Sequence, residues 1–234
     1  ATTEIYTRLV VGSVRCVYET GADHFAHEGM TSTVIAGHYN MAPKLGELIM
    51  QNKIKAYNLP QGTLSQLYRD IAAKKLGTLT HVGLYTFADP RVEGGKLNDI
   101  TTEDLVEVVN ICGEERLLYK AIHVDVALIR ATYADEYGNI TMEHECCTAE
   151  ATAIAQAAKN CGGKVIVQVE KVVTDVDPKL VKVPGIYVDA VVVTENKENH
   201  TQCVGCEYDG SMTGEFRVPL GSLCLLYTSD AADD

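Results

Sequence analysis

The chain has 234 residues, 46% of them hydrophobic and 22% charged, and carries a net charge of −12 at pH 7. That length fits one large domain or two small ones, and the composition is that of an ordinary globular protein. The acidic balance excludes a nucleic-acid binder, which needs a basic surface, but leaves room for a small anion held by backbone N–H groups.

Residues 4–17, rich in Val, Thr and Tyr, predict extended chain. The turn-rich stretch 21–29 holds His24, His27 and Glu28. It lacks the HExxH pattern, so these side chains read as loop packing or capping groups rather than metal ligands. Residues 31–36 form a β-branched strand that ends at Gly37-His38-Tyr39-Asn40. Asn40 is the expected N-cap of a helix in which Met41, Leu45, Leu48 and Ile49 share a face and Pro43 sits in the first turn. Gly37 allows close approach of a ligand or another backbone, while His38 either touches a substrate or satisfies backbone groups.

A second strand–turn–helix unit follows over residues 56–75. Pro60 suits the second position of a type I turn and Gly62 its fourth, with the Gln61 amide projecting at the turn. Thr63 is the expected N-cap and Gln66 completes a capping box, with Leu64, Leu67, Tyr68 and Ile71 facing a core. Two such units in succession imply a parallel sheet with right-handed crossovers, whose ligands bind beyond the carboxyl ends of the strands. Residues 78–86 predict a third strand bordering that crevice, and the glycine-bearing loop 87–96 reads as a lid or binding segment.

Farther on, residues 106–111 and 116–120 read as a β-hairpin around Cys112-Gly113. Residues 123–132 predict an apolar strand buried on both faces, with Asp125 and Arg130 as partners at its ends. A turn with Gly138-Asn139 at its tip, an Ala-rich helix over 150–159 stopped by Gly162-Gly163, and buried-type strands at 164–169 and 185–193 complete the pattern. Residues 195–199 are a polar surface loop.

Eight cysteines make no disulfide framework and read as reduced thiols. Cys203-Val204-Gly205-Cys206, with His200 upstream, has redox or zinc spacing, yet no second pair completes four ligands, and no metal site is assigned. No apolar run reaches the roughly 20 residues of a membrane-spanning helix and no signal peptide is evident, so a cytoplasmic location without membrane attachment is expected. The last eleven residues, 224–234, resemble a translated sequencing adapter; the domain is assigned to residues 1–223 and is expected to be truncated at both ends.

Several of these stretches succeed one another in a familiar order. They are Ala26-His27-Glu28-Gly29, Ala36-Gly37-His38-Tyr39, Tyr57-Asn58-Leu59-Pro60-Gln61-Gly62-Thr63, Arg69-Asp70-Ile71-Ala72 and Thr86-Phe87-Ala88-Asp89-Pro90-Arg91. Val124-Asp125-Val126-Ala127-Leu128-Ile129-Arg130, Ala134-Asp135-Glu136-Tyr137-Gly138-Asn139-Ile140 and Val183-Pro184-Gly185-Ile186-Tyr187-Val188-Asp189 follow. From Val10 to about Arg217 the chain resembles the N-terminal half of a family I coenzyme A transferase, in the acetate/propionate branch.

The resemblance implies an α/β fold with a largely parallel sheet flanked by helices, of the type shared with ribose-5-phosphate isomerase and glucosamine-phosphate deaminase. It implies transfer of CoA from acetyl-CoA or propionyl-CoA to a free carboxylic acid, by a ping-pong route through a glutamyl-CoA thioester. The nucleophilic glutamate of such enzymes lies in their second half, in a Glu-x-Gly-type loop that nothing here matches, so no catalytic residue is assigned. The family's glycine-rich turn of the Gly-Phe type is also unmatched, and Ala36 and Asn40 stand where relatives often carry glycine. Strand-end position and resemblance together nominate Gly37, His38, Gln61, Gly62, Thr63, Gly83, Thr86 and Phe87 as lining the substrate crevice. Coenzyme A would be a substrate, so no cofactor is expected. The expected partners are acyl-CoA and short-chain carboxylates, with no nucleic acid, in a homo-oligomer of the full-length protein. The competing readings are a sugar-phosphate isomerase on the same fold and a non-catalytic binding or metal module using His200, Cys203 and Cys206.

Overall fold

A computed structural model describes residues 10–11, 21–40, 42–202 and 207–219. Of the sequence expectations, residues 4–9 and 12–17, Met41, the Cys203 to Cys206 pair and the tail 224–234 lie outside the described residues.

Short β-branched runs alternating with amphipathic helices build a parallel sheet first. Strands β1 (Val10–Val11), β2 (Thr33–Ala36) and β3 (Lys55–Asn58) pair in parallel in that order. Helix α1 (Pro43–Met50) crosses from β2 to β3, and α2 (Gln61–Ala72) leaves β3. The period-2 alternation sends Val34 and Ala56 to one face, against Leu45 and Ile49 of α1. Ile35 and Tyr57 go to the other face, into the main core with α2.

The chain then forms an antiparallel sheet from β4 (Gly77–Thr80), β5 (Val106–Ile111) and β6 (Glu114–Lys120), in the order β4-β6-β5. The β5–β6 hairpin is as expected. Its turn residues Cys112 and Gly113 both have positive φ, 56° and 83°, the combination a type I′ connection demands.

A second parallel sheet uses β7 (Val126–Arg130), β10 (Lys164–Val169) and β12 (Ala190–Val193), in the order β12-β10-β7. Between β7 and β10 lie β8 (Tyr133–Asp135), β9 (Ile140–Thr141) and α3 (Ala151–Asn160). β8 pairs antiparallel with β9 and parallel with β11 (Lys171–Val173). A short helix, α4 (Gly210–Thr213), comes last. Thus the predicted α/β class holds, with two parallel sheets, one mixed sheet and one antiparallel sheet. No helix among the described residues is long and apolar enough to cross a membrane.

Helices α2 and α3 pack on each other over the shared core, where Ala127, Ile129, Val165, Val167 and Val169 are buried. The expected two-sided burial of the strand at 123–132 does not occur. Ala127 and Ile129 enter the core, but Val126 and Leu128 on the opposite face are 50% and 57% exposed.

Asp125 and Arg130 are not partners either. Asp125 lies 3.2 Å from the His123 ring at the surface. Arg130 instead makes two bonds to the buried Glu145 carboxylate, at 3.1 and 2.9 Å. Its remaining N–H groups reach the carbonyls of Thr201 and Gln202, which fixes the segment after the exposed loop 195–199 onto β7. That segment is further held by Gln202, which donates to His144 O and accepts from Asp209 N.

Helix α1 starts at Pro43 with Ala42 as its N-cap, not Asn40. The missing cap is supplied from a distance: the Asp23 carboxylate accepts from the N–H groups of Lys44 and Leu45, at 3.3 and 3.2 Å. Glu28 pairs with Lys53, and His24 and His27 are exposed. Gly162 ends α3 with φ 79°, as expected of a C-terminal glycine.

Candidate functional site

Strands β2 and β3 finish level, Ala36 opposite Asn58, and the Leu59 N–H donates to Ala36 O at 3.0 Å. The two turns that follow then touch. A Cβ placed on Gly37 would lie 2.8 Å from Gln61 Cβ and 3.3 Å from its Cα, so only glycine lets the start of α2 seat there. Next to it His38 is half-buried, and its ring makes no hydrogen bond among the described residues. Tyr39 turns away from the crevice: its hydroxyl donates to Tyr57 O at 2.6 Å, and burial pushes its phenol above the ordinary range.

Helix α2 begins three residues earlier than the capping box predicted. Pro60 has φ −54° and ψ 123°, an extended conformation rather than the second position of a type I turn, and it is itself the N-cap. Both Thr63 and Leu64 donate to Pro60 O, so the first helical bonds close there. Thr63 is therefore a buried first-turn residue whose hydroxyl caps nothing, and Gln66 bonds Asp70 at 3.3 Å instead of reaching back. The shift leaves Gln61 and Gly62 exposed at the first positions of the helix, with no bond from either N–H among the described residues. Unsatisfied donors at the positive end of a helix dipole favour an anion or a developing oxyanion.

The third border of the crevice differs from expectation. β4 stops at Thr80 and pairs antiparallel with β6, so residues 81–86 are turns and not the end of a parallel strand. Gly83, with φ 95°, is required by packing: a Cβ there would lie 2.3 Å from the Tyr119 hydroxyl. Thr86 locks the same turn, donating to Gly83 O at 2.8 Å. These two nominated residues shape the loop that leads to Phe87. Phe87 fares better. Gly95 N donates to Phe87 O at 2.8 Å, and Asn58 N donates to Gly95 O at 2.7 Å, which ties the 42% exposed Phe87 to the end of β3. The structure thus brings Gly37 against Gln61 and ties the Phe87 backbone through Gly95 to the end of β3, with Thr63 buried in the first turn of α2.

Two residues here escaped the sequence reading. The Asn58 side-chain oxygen is buried beside the turn with no hydrogen-bond partner among the described residues. Asp89 is fully buried and organises the loop: it accepts from Tyr85 N at 2.9 Å, and from Arg91 N, Nε and Nη2 at 3.0, 3.0 and 2.8 Å. The Arg91 guanidinium holds the Asp89 carboxyl well below the usual carboxylate range, against the opposing effect of burial. Arg91 continues to Glu115 at 3.1 Å and lies 5.0 Å from the centre of the Tyr85 ring. The sequence signal was available in Ala88-Asp89-Pro90-Arg91, where an acid and an arginine two apart flank a proline.

His200, offered as a metal ligand in one competing reading, has its Nε2 3.0 Å from Ala131 O. Burial, aided by the Arg130 charge, lowers its pKa.

Parallel strands joined through helices, with a glycine turn packed against an open helix start beyond their carboxyl ends, define an α/β protein. The profile of the coenzyme A transferase family matches residues 2–194, and the chain belongs to that family. It is 46% identical over 210 residues to the caffeate CoA-transferase of Acetobacterium woodii, a match covering 89% of this chain and 40% of that one. It is likewise 46% identical over 177 residues to the acetate CoA-transferase YdiF of Escherichia coli K12, covering 75% and 33% of the two chains. The crystal structure of the acyl-CoA transferase YdiF from E. coli O157:H7, a thioester complex with CoA, superposes with a TM-score of 0.82 at 39% identity, covering 90% of this chain and 44% of that one. The chain therefore spans less than half the length of each of these relatives.

Proposed function

We propose that this chain supplies one wall of the cleft of a longer, cytoplasmic, homo-oligomeric enzyme that moves coenzyme A from a short-chain acyl-CoA to a free carboxylate. A carboxylate is a poor nucleophile toward a thioester, so an enzyme carboxylate attacks first. In this reading a glutamate outside residues 1–234 attacks the acyl-CoA carbonyl, expels CoA thiolate and forms an acyl-glutamyl anhydride. The thiolate then attacks the glutamyl carbonyl, releasing the first acid and leaving a glutamyl-CoA thioester. The incoming carboxylate runs the sequence backwards, and acetyl-CoA and propionyl-CoA are the proposed donors.

The observation that carries the proposal is the contact of Gly37 with Gln61 at the carboxyl ends of β2 and β3. In this reading the Gln61 amide and the open N–H groups of Gln61 and Gly62 stabilise the developing oxyanion. Such donors are worth roughly a hundredfold to a thousandfold in rate. Phe87 would wall off the acyl group and exclude water, and His38 would face the incoming acid.

A spectrophotometric assay of the longer enzyme with propionyl-CoA and acetate, caffeate or ribose 5-phosphate tests this. CoA transfer to a carboxylate is expected, and Gln61→Ala should reduce turnover at least about tenfold. Isomerisation of the sugar phosphate without CoA transfer would overturn the assignment, and an unchanged rate in the variant would remove Gln61 from it.

A further inference from the structure

Helices α2 and α3 run side by side in the same direction. Near their starts the Ser65 hydroxyl of α2 donates to the carboxylate of Glu150, the N-cap of α3, and at their ends Asn160 Nδ2 donates to Ala72 O. Aligned in this way, the two positive helix ends are neighbours and repel unless an anion stands beside them. Glu150 supplies that charge, and its side chain caps no N–H of its own helix but reaches across to α2. The inner side of this seam is dry. Tyr68 is 3% exposed, and burial, followed by the Glu150 charge, pushes its phenol above the ordinary range. A hydrogen bond to a charged group in such surroundings is stronger than one in water. Ser65 stands four residues after Gln61, and residues so spaced share a helix face. The bond from Glu150 therefore pins the face of α2 that begins with Gln61.

We propose that Glu150 is a positioning residue: through Ser65 it fixes the first turn of α2 and so sets the Gln61 amide for the transfer step. Its effect on turnover rests on the proposed reaction, whereas its hold on the helix start does not. Glu150 acts through the bond to Ser65 and touches no substrate.

Kinetics and amide hydrogen exchange of the longer enzyme test it in Ser65→Ala, Glu150→Ala, Glu150→Gln and the double alanine variant. Ser65→Ala removes one hydroxyl and leaves the 3.0 Å bond from Arg69 to Ser65 O in place. Each alanine variant is expected to lower kcat about tenfold, with KM for acyl-CoA within about twofold of the original. The double variant should be no slower than either single one, because the same bond is lost in all three. Glu150→Gln, whose amide oxygen still accepts from Ser65, should recover most of the lost turnover. The Thr63 and Leu64 amides, which close the first turn on Pro60 O, should exchange at least about tenfold faster in the alanine variants. Losses that multiply in the double variant, a change in KM alone, or a Gln variant as slow as the Ala one would overturn the proposal. A lower Tm with unchanged kcat per folded molecule, or unchanged exchange at Thr63 and Leu64, would overturn it too. Should the original enzyme transfer no CoA, the proposed reaction fails, and the exchange rates still decide whether Glu150 holds the helix start.

Discussion

Gly37 and Asp89 do different work in two different loops. Replacing Gly37 by Ala puts a methyl group 2.8 Å from Gln61 Cβ, and the clash is with the start of a helix, not with a flexible tip. Gly37→Ala is expected to cost about 1–3 kcal/mol, read by urea denaturation, and to lower activity in the longer enzyme by displacing Gln61. The Asp89 carboxyl is depressed in the folded chain, so its stabilising contribution is complete above the ordinary carboxylate pKa and is lost as pH falls below it. Asp89→Asn should therefore cost about 2 kcal/mol at pH 7 and flatten the loss of stability between about pH 4 and pH 2; equal acid profiles for both proteins would contradict this. Gly37 was legible because a glycine at a strand exit has few local explanations. The buried role of Asp89 was hidden, because a carboxylate in a polar loop reads as solvated until the fold closes over it.

At the level of elements, periodicity reported helices and strands well and their partners poorly. The apolar spacing of α2 placed the right face in the core. Alternation cannot say whether a strand pairs parallel or antiparallel, which is why β4 was placed in the wrong sheet. Caps were missed for a related reason: local chemistry offered Asn40 and Thr63, while the structure used Asp23, some twenty residues before α1, and the carbonyl of Pro60. Asp23→Ala should lower stability by about 1 kcal/mol in thermal or urea melts, although Asp23 lies outside the helix it serves. In the β5–β6 turn nothing lies within 4 Å of a Cβ at Gly113, so Gly113→Ala tests conformation alone. A loss of about 1 kcal/mol is expected from forcing alanine to φ 83°.

For the whole molecule, the excess of acidic groups is a standing self-repulsion. Raising salt from 20 to 300 mM should screen it and raise Tm by a few degrees, and a flat or falling Tm would show that local ion pairs dominate. Composition carried the class of the protein, and collinear motifs carried its family, but neither foresaw the one-sided burial of β7. An apolar run is written the same way whether one face of its strand is covered or both. The attachment of the last described segment has a practical side. Lys197 stands in an exposed loop, while the chain beyond it is anchored through Arg130, His144 and Gln202. Trypsin cutting after Lys197 should leave both pieces travelling as a single particle on a sizing column, and only denaturant should part them.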